Sequence, residues 1–105
     1  MKKIIFTGET ALMCKLFEVE PFEIALKRVK SVSWENDEVR TIWDAMVRNR
    51  QRKMPHDIVC LFFELESEGE DLTRLMISLA TEYRDFRFST MSTDWMIDRA
   101  FGGER

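Results

Sequence analysis

Two short runs of apolar residues at helical spacing, separated by a proline, constrain the fold of this chain more than any other feature. Leu12, Met13, Leu16 and Phe17 recur as on one face of a helix, and Val19 closes the pattern after Glu18. Pro21 suits the first position of a second helix, where its missing N–H has no partner to lose and its fixed φ is already helical. Phe22, Ala25, Leu26 and Val29 then give that helix an apolar side. The spacing predicts helices over 10–17 and 21–32, with a turn around residues 18–20.

Further along, Ser33 and Asn36 are both suitable N-caps for a third helix, in which Val39, Ile42, Trp43 and Met46 form an i, i+3, i+4, i+7 stripe. It is expected to run to about Lys53, because Pro55 bars continuation. The run IVCLFFEL over 58–65 fits a buried strand or a buried helix. Its β-branched start and its length favour the strand, followed by a Ser/Glu/Gly turn. A strongly periodic helix comes next, with Leu72, Leu75, Met76, Leu79, Ala80 and Tyr83 on one face. Short strands are expected near 3–7, ended by Gly8, and near 86–90, where Phe86 and Phe88 alternate with Arg87 and Ser89. Ser92 or Thr93 caps a last helix carrying Trp95, Met96 and Phe101, with Gly102 and Gly103 as its stop signal. Strand, helix, strand in that order suggests a parallel pair joined by a right-handed crossover. The expectation is an α+β fold, a single small domain over 1–105, mostly helical with a small sheet; an all-α fold is the alternative if 58–65 is helical.

A chain of 105 residues is one domain by size. It should bury roughly two thirds of the surface its unfolded form exposes, enough for a core without metal or disulfide staples. Eight Phe, three Trp and seven Met within a 45% hydrophobic composition mark it as globular. Cys14 and Cys60 each sit in an apolar run and read as small buried hydrophobes, which suits a reducing compartment. The apolar run after Lys2 and Lys3 is only residues 4–6, with no secretory signal pattern and no stretch of membrane-spanning length, so a cytoplasmic location is expected.

The net charge of −3 conceals two halves of opposite sign. Residues 1–53 hold eleven Lys/Arg against eight Asp/Glu, and residues 54–105 hold five against eleven. Arg40, Arg48, Arg50, Arg52 and Lys53 gather on the basic side, and Glu64, Glu66, Glu68, Glu70 and Asp71 on the acidic side. Folding either brings these groups together or leaves them as patches that steer different partners. The arginines near 48–52 fall at a helix C-terminus, which favours cations with or without a ligand.

The stretch MCKLFEVEPFEIALKRV over 13–29 resembles a helix-turn-helix, a match covering about a sixth of the chain. The resemblance implies a second helix lying in the major groove with Glu20, Phe22 and Glu23 at the base edges, where Glu23 would accept from a cytosine amino group. Glu18 stands where that family often has a turn glycine, and Cys14 where the first helix usually has a small residue.

Candidate catalytic or metal chemistry is sparse. His56, Asp57 and Cys60 are the only cluster of ligand types, short of the four a zinc site requires. No nucleophile motif surrounds Cys60 or a serine, and Gly8 before Glu9 and Thr10 lacks the lysine-bearing phosphate-loop pattern. The acidic run lacks the EF-hand order of ligands and reads better as a solvated segment entering a helix N-terminus. No catalytic residue, cofactor or metal is therefore expected.

Two functions remain. One is a small non-enzymatic regulatory or adaptor protein, or an inhibitor, that binds a protein partner through Glu64, Glu66, Glu68, Glu70 and Asp71 in its acidic half. The other is a helix-turn-helix-like DNA-binding regulator using Lys27, Arg28, Lys30, Arg48, Arg50, Arg52 and Lys53 on phosphates. The sequence pI near 5.2 favours the first.

Overall fold

The computed structural model describes residues 7–86 and 91–101, with the backbone alone at residues 70 and 82–86. Six helices are present among the described residues: α1 (Gly8–Lys15), α2 (Val19–Arg28), α3 (Asp37–Gln51), α4 (Ile58–Leu65), α5 (Glu70–Phe86) and α6 (Thr93–Phe101), with short 3-10 turns at Ser31–Ser33 and Glu66–Glu68.

Thr7 starts α1 by a reciprocal cap. Its Oγ1 accepts from the Thr10 N–H at 3.3 Å, while Thr10 Oγ1 accepts from the Thr7 N–H at 2.8 Å. At Gly8 the helix approaches α6 so closely that a Cβ would lie 2.9 Å from the Ala100 Cα, which explains the glycine. The helix lies at the centre of the molecule against α3, α5 and α6. Leu12, Met13 and Cys14 are fully buried, and so, nearly, are its polar residues Glu9, Thr10 and Lys15. These polar groups are bonded, as burial demands. Glu9 accepts from the Glu35 N–H at 2.9 and 3.1 Å and from the Asn36 N–H at 3.0 Å, and Lys15 Nζ donates to the Met91 carbonyl.

That Glu9 contact fixes the start of α3, because Asn36 is its N-cap and accepts from the Val39 N–H at 3.0 Å. The expected stripe of Val39, Ile42, Trp43 and Met46 is buried. Above it, rings from several elements form a chain. His56 stacks on Phe22 at 4.6 Å, Phe22 meets Trp43 at 5.5 Å, Trp43 meets Trp34 at 5.7 Å, and Trp34 meets Phe101 at 5.0 Å. This joins α2, α3, α6 and two connections into one core. The end of α3 is a Schellman motif: Lys53 N–H donates to the Arg50 carbonyl at 3.1 Å, and Met54 N–H to Asn49 at 2.9 Å. Lys53 takes the left-handed conformation, φ 60°, that glycine usually fills.

The expected α+β fold is corrected to all-α, since no strand occurs among the described residues. The strand expected over 58–65 is helix α4. An unbroken apolar run carries no period to separate the two states. Asp57 decides locally: its side chain accepts from the Val59 N–H at 2.7 Å and opens a helix two residues after Pro55. Of the strands expected near 3–7 and 86–90, residues 3–6 and 87–90 lie outside the described residues, while Thr7 caps α1 and Phe86 ends α5. The helix expected over 10–17 keeps its length but starts two residues earlier, and the one expected over 21–32 is shorter and also starts two residues earlier, so that Pro21 sits in the first turn of α2 rather than at its first residue.

Candidate functional site

The helix with the most apolar sequence is the least buried. Of the eight residues of α4, only Leu61 and Leu65 are buried, packed toward α3 and α5. Ile58, Val59, Phe62 and Phe63 are 36, 56, 37 and 67% exposed. Positions 58, 59, 62 and 63 follow the i, i+1, i+4, i+5 rule that places side chains on one side of a helix, so the exposure forms a continuous face. Phe62 and Phe63 pack edge to face at 6.0 Å within it. Glu64 points the other way, about half a turn from the centre of that face. It accepts from Arg48 Nε at 2.8 Å and from Arg52 at 3.2 Å.

The acidic residues singled out from the sequence therefore divide. Glu64 belongs to the α3–α4 contact, where the Arg48 hydrogen bond lowers its pKa below the usual 4.5 against the opposing effect of desolvation. Glu66, Glu68 and Asp71 are exposed. Glu66 has helical backbone angles and follows Phe62 by four residues, which extends the apolar face into an acidic end. Glu70 begins α5. Asp57 is exposed at the opposite end of α4.

The basic residues are mostly engaged in ion pairs. Arg28 on α2 bonds Asp94 at 2.7 Å and Asp98 at 2.6 Å on α6, which raises its already high pKa. Arg50 bonds Glu23 at 2.6 and 3.3 Å, and the pair raises the arginine while holding the Glu23 carboxyl below its usual range. Arg48 and Arg52 share Glu64, and Arg40 pairs with Asp37 at 3.2 Å while also donating to the Trp34 carbonyl. Folding thus sets basic side chains of the first half against carboxylates of the second at Arg28, Arg48 and Arg52. Lys27, Lys30 and Lys53 are exposed. Of the residues that the helix-turn-helix resemblance places at base edges, Phe22 is 1% exposed within the ring chain and Glu23 is held by Arg50, leaving Glu20 exposed.

His56, Asp57 and Cys60 do not assemble. His56 Nε2 donates to the Leu16 carbonyl at 2.8 Å, closing the end of α1, and Asp57 caps α4. No group of three or more metal-ligating side chains occurs among the described residues. A cavity of about 10 Å³ between α3 and the 54–57 connection, lined by Met46, Asn49, Met54, His56 and Leu61, has room for one water molecule. Cys14 is buried and Cys60 half-buried, and both are free thiols. No helix is long and apolar enough to cross a membrane among the described residues.

Comparison of the chain with protein-family models, curated proteins and solved structures finds no match.

The α4 face escapes sequence reading because a run taken for a buried strand leaves no exposed side to consider. The available signal is Asp57 as a helix cap together with Glu64, the single charge inside the run, which marks the side facing Arg48 and Arg52.

Proposed function

We propose that this protein is a non-enzymatic binding module, an adaptor or inhibitor, that engages a protein partner through the apolar face of α4. One observation carries the reading: Ile58, Val59, Phe62 and Phe63 are exposed together on one side of a single helix, whereas the other exposed large apolar side chains, Val19, Val32, Met54, Ile77, Met91 and Trp95, are spread over separate elements. Contiguous apolar surface rimmed by charge marks interaction sites, because leaving it in water opposes folding without contributing to the core. Glu66, Glu68 and Asp71 form the polar rim in this reading, and Glu64 holds the helix in place from behind. The ion pairs favour this function over nucleic-acid binding, since a phosphate approaching Arg28, Arg48, Arg50 or Arg52 meets a carboxylate beside each. Two free cysteines suit a cytoplasmic location.

Capture from nuclease-treated lysate on the immobilised chain, compared between wild type and the Phe62→Ser/Phe63→Ser variant, tests this reading. A protein retained by the wild type and lost from the variant is expected. Identical retained sets would remove α4 from the interface.

A further inference from the structure

We propose that the cavity between α3 and the 54–57 connection is a binding site for a single water molecule, held by the side-chain amide of Asn49 and bridging it to His56. Asn49 is 6% exposed, and its Nδ2 is fully buried with no acceptor among the described residues. A donor taken out of water and left unpaired opposes folding, so a buried amide of this kind calls for a partner. Its backbone is fixed, because the Asn49 carbonyl accepts the Met54 N–H at 2.9 Å in the turn that ends α3. Asn49 also borders the cavity of about 10 Å³. Trp34 Nε1, the other unpartnered buried donor among the described residues, does not, and nothing is assigned to it.

Size and chemistry together select the occupant. The volume admits one water and nothing larger. An amide N–H requires an acceptor, which excludes a bare cation. A small anion would meet the Asp57 carboxylate on the same lining, while Arg50, the one cation there, is already paired with Glu23. Purely apolar voids stay dry, but a water with two or more polar partners is retained. Asn49, His56 and Asp57 supply those partners among the apolar side chains of Met46 and Leu61.

The second partner follows from the imidazole. His56 Nε2 donates to the Leu16 carbonyl, which leaves Nδ1 of the neutral ring as an acceptor. A water that accepts from Asn49 Nδ2–H and donates to His56 Nδ1 satisfies both groups. The bridge ties the last turn of α3 to the residue before Asp57, the N-cap of α4. It thereby holds the entry into α4, as the bonds of Arg48 and Arg52 to Glu64 hold its far end.

The experiment is nuclear magnetic resonance on the full, ¹⁵N-labelled chain. The Asn49 side-chain amide protons are expected to show a rotating-frame Overhauser effect to water, of the sign that separates a bound molecule from proton exchange. In Asn49→Leu, which keeps the volume and removes the donor, the His56 Nδ1 resonance should shift while Nε2, still bonded to Leu16, stays in place. No such effect at Asn49 in the folded wild type would overturn the site. An effect at Asn49 with His56 Nδ1 unmoved in the variant would overturn the bridge. A high-resolution crystal structure of the wild type decides the matter even if the variant fails to fold. Water density between Asn49 Nδ2 and His56 Nδ1 is expected, and an Asn49 amide donating to a protein acceptor would overturn the proposal.

Discussion

Helices α1 and α4 are each eight residues long and have exchanged the surroundings that their compositions suggest. GETALMCK carries a glutamate, a threonine and a lysine into the centre of the molecule, whereas IVCLFFEL leaves half of its residues exposed. The difference is one of partners. Glu9 and Lys15 are buried because backbone groups of residues 35, 36 and 91 receive them. Phe62 and Phe63 are 37 and 67% exposed because they lie on a different side of α4 from Leu61 and Leu65, its buried residues. A side chain's position thus follows from what its neighbours can satisfy, and apolar surface left over at the end of folding is available for binding.

The sharpest way to break this contrast is a truncation in each helix. Leu12→Ala, inside α1, should lower unfolding free energy by about 3 to 5 kcal/mol, since the surrounding helices cannot close on the cavity. Phe63→Ala in α4 should change it by no more than about 0.5 kcal/mol. Urea unfolding of both variants measures the two values, and comparable losses would mean that α4 is covered by the protein itself.

Glu9→Ala comes next. It leaves the part-buried N–H groups of Glu35 and Asn36 without their acceptor, and a loss of about 1 to 3 kcal/mol is expected. Glu9→Gln, which keeps one acceptor oxygen, should lose less. Equal losses would show that packing of the side chain, rather than its hydrogen bonds, holds α1 against α3.

Gly8→Ala probes the close approach of α1 to α6. With backbone only 2.9 Å from the added carbon, the helices must separate, at a cost of about 1 to 3 kcal/mol. A shift in melting temperature smaller than that of Ala100→Gly would place the tight contact elsewhere.

The smallest effect is electrostatic and concerns the side of α4 that faces the core. Glu64 and Glu23 have pKa values below 4.5 when folded, chiefly through hydrogen bonds from Arg48 and Arg50. A carboxyl whose folded pKa is depressed contributes stability that is present above its unfolded pKa and is lost as pH falls through the folded value. Stability should therefore decline below about pH 4.5, and Glu64→Gln should flatten part of that decline in acid titrations followed by circular dichroism. An unchanged slope would assign the acid sensitivity to other carboxylates.

Much of the architecture was legible where polar and apolar residues alternate. The stripe from Val39 to Met46, the Asn36 cap, the stop before Pro55 and the apolar face of α5 from Leu72 to Leu79 all appear in the spacing, because a helix with one wet side must write its period into the sequence. The state of 58–65 was not legible, since a run with one charge in eight residues has no period. Nor could spacing reveal that Glu9 would meet residues 26 and 27 positions away, or that Arg48 and Arg52 would converge on Glu64. Those pairings depend on how helices cross, which charge counts along a chain do not record. The acidic run was visible as composition, but its division into a core-side anchor and an exposed rim required the orientation of α4.

The segment IVCLFF has one further consequence. Six residues of high β propensity, without charge or proline, are the composition from which cross-β fibrils nucleate. Held in α4 they satisfy their own backbone hydrogen bonds and cannot template a strand. Once unwound, they would present a sticky edge to every other copy, guarded only by Asp57 before them and Glu64 after them. The cap that Asp57 places on Val59 thus protects the solution from aggregation, and a bound partner would extend that protection for as long as it stays.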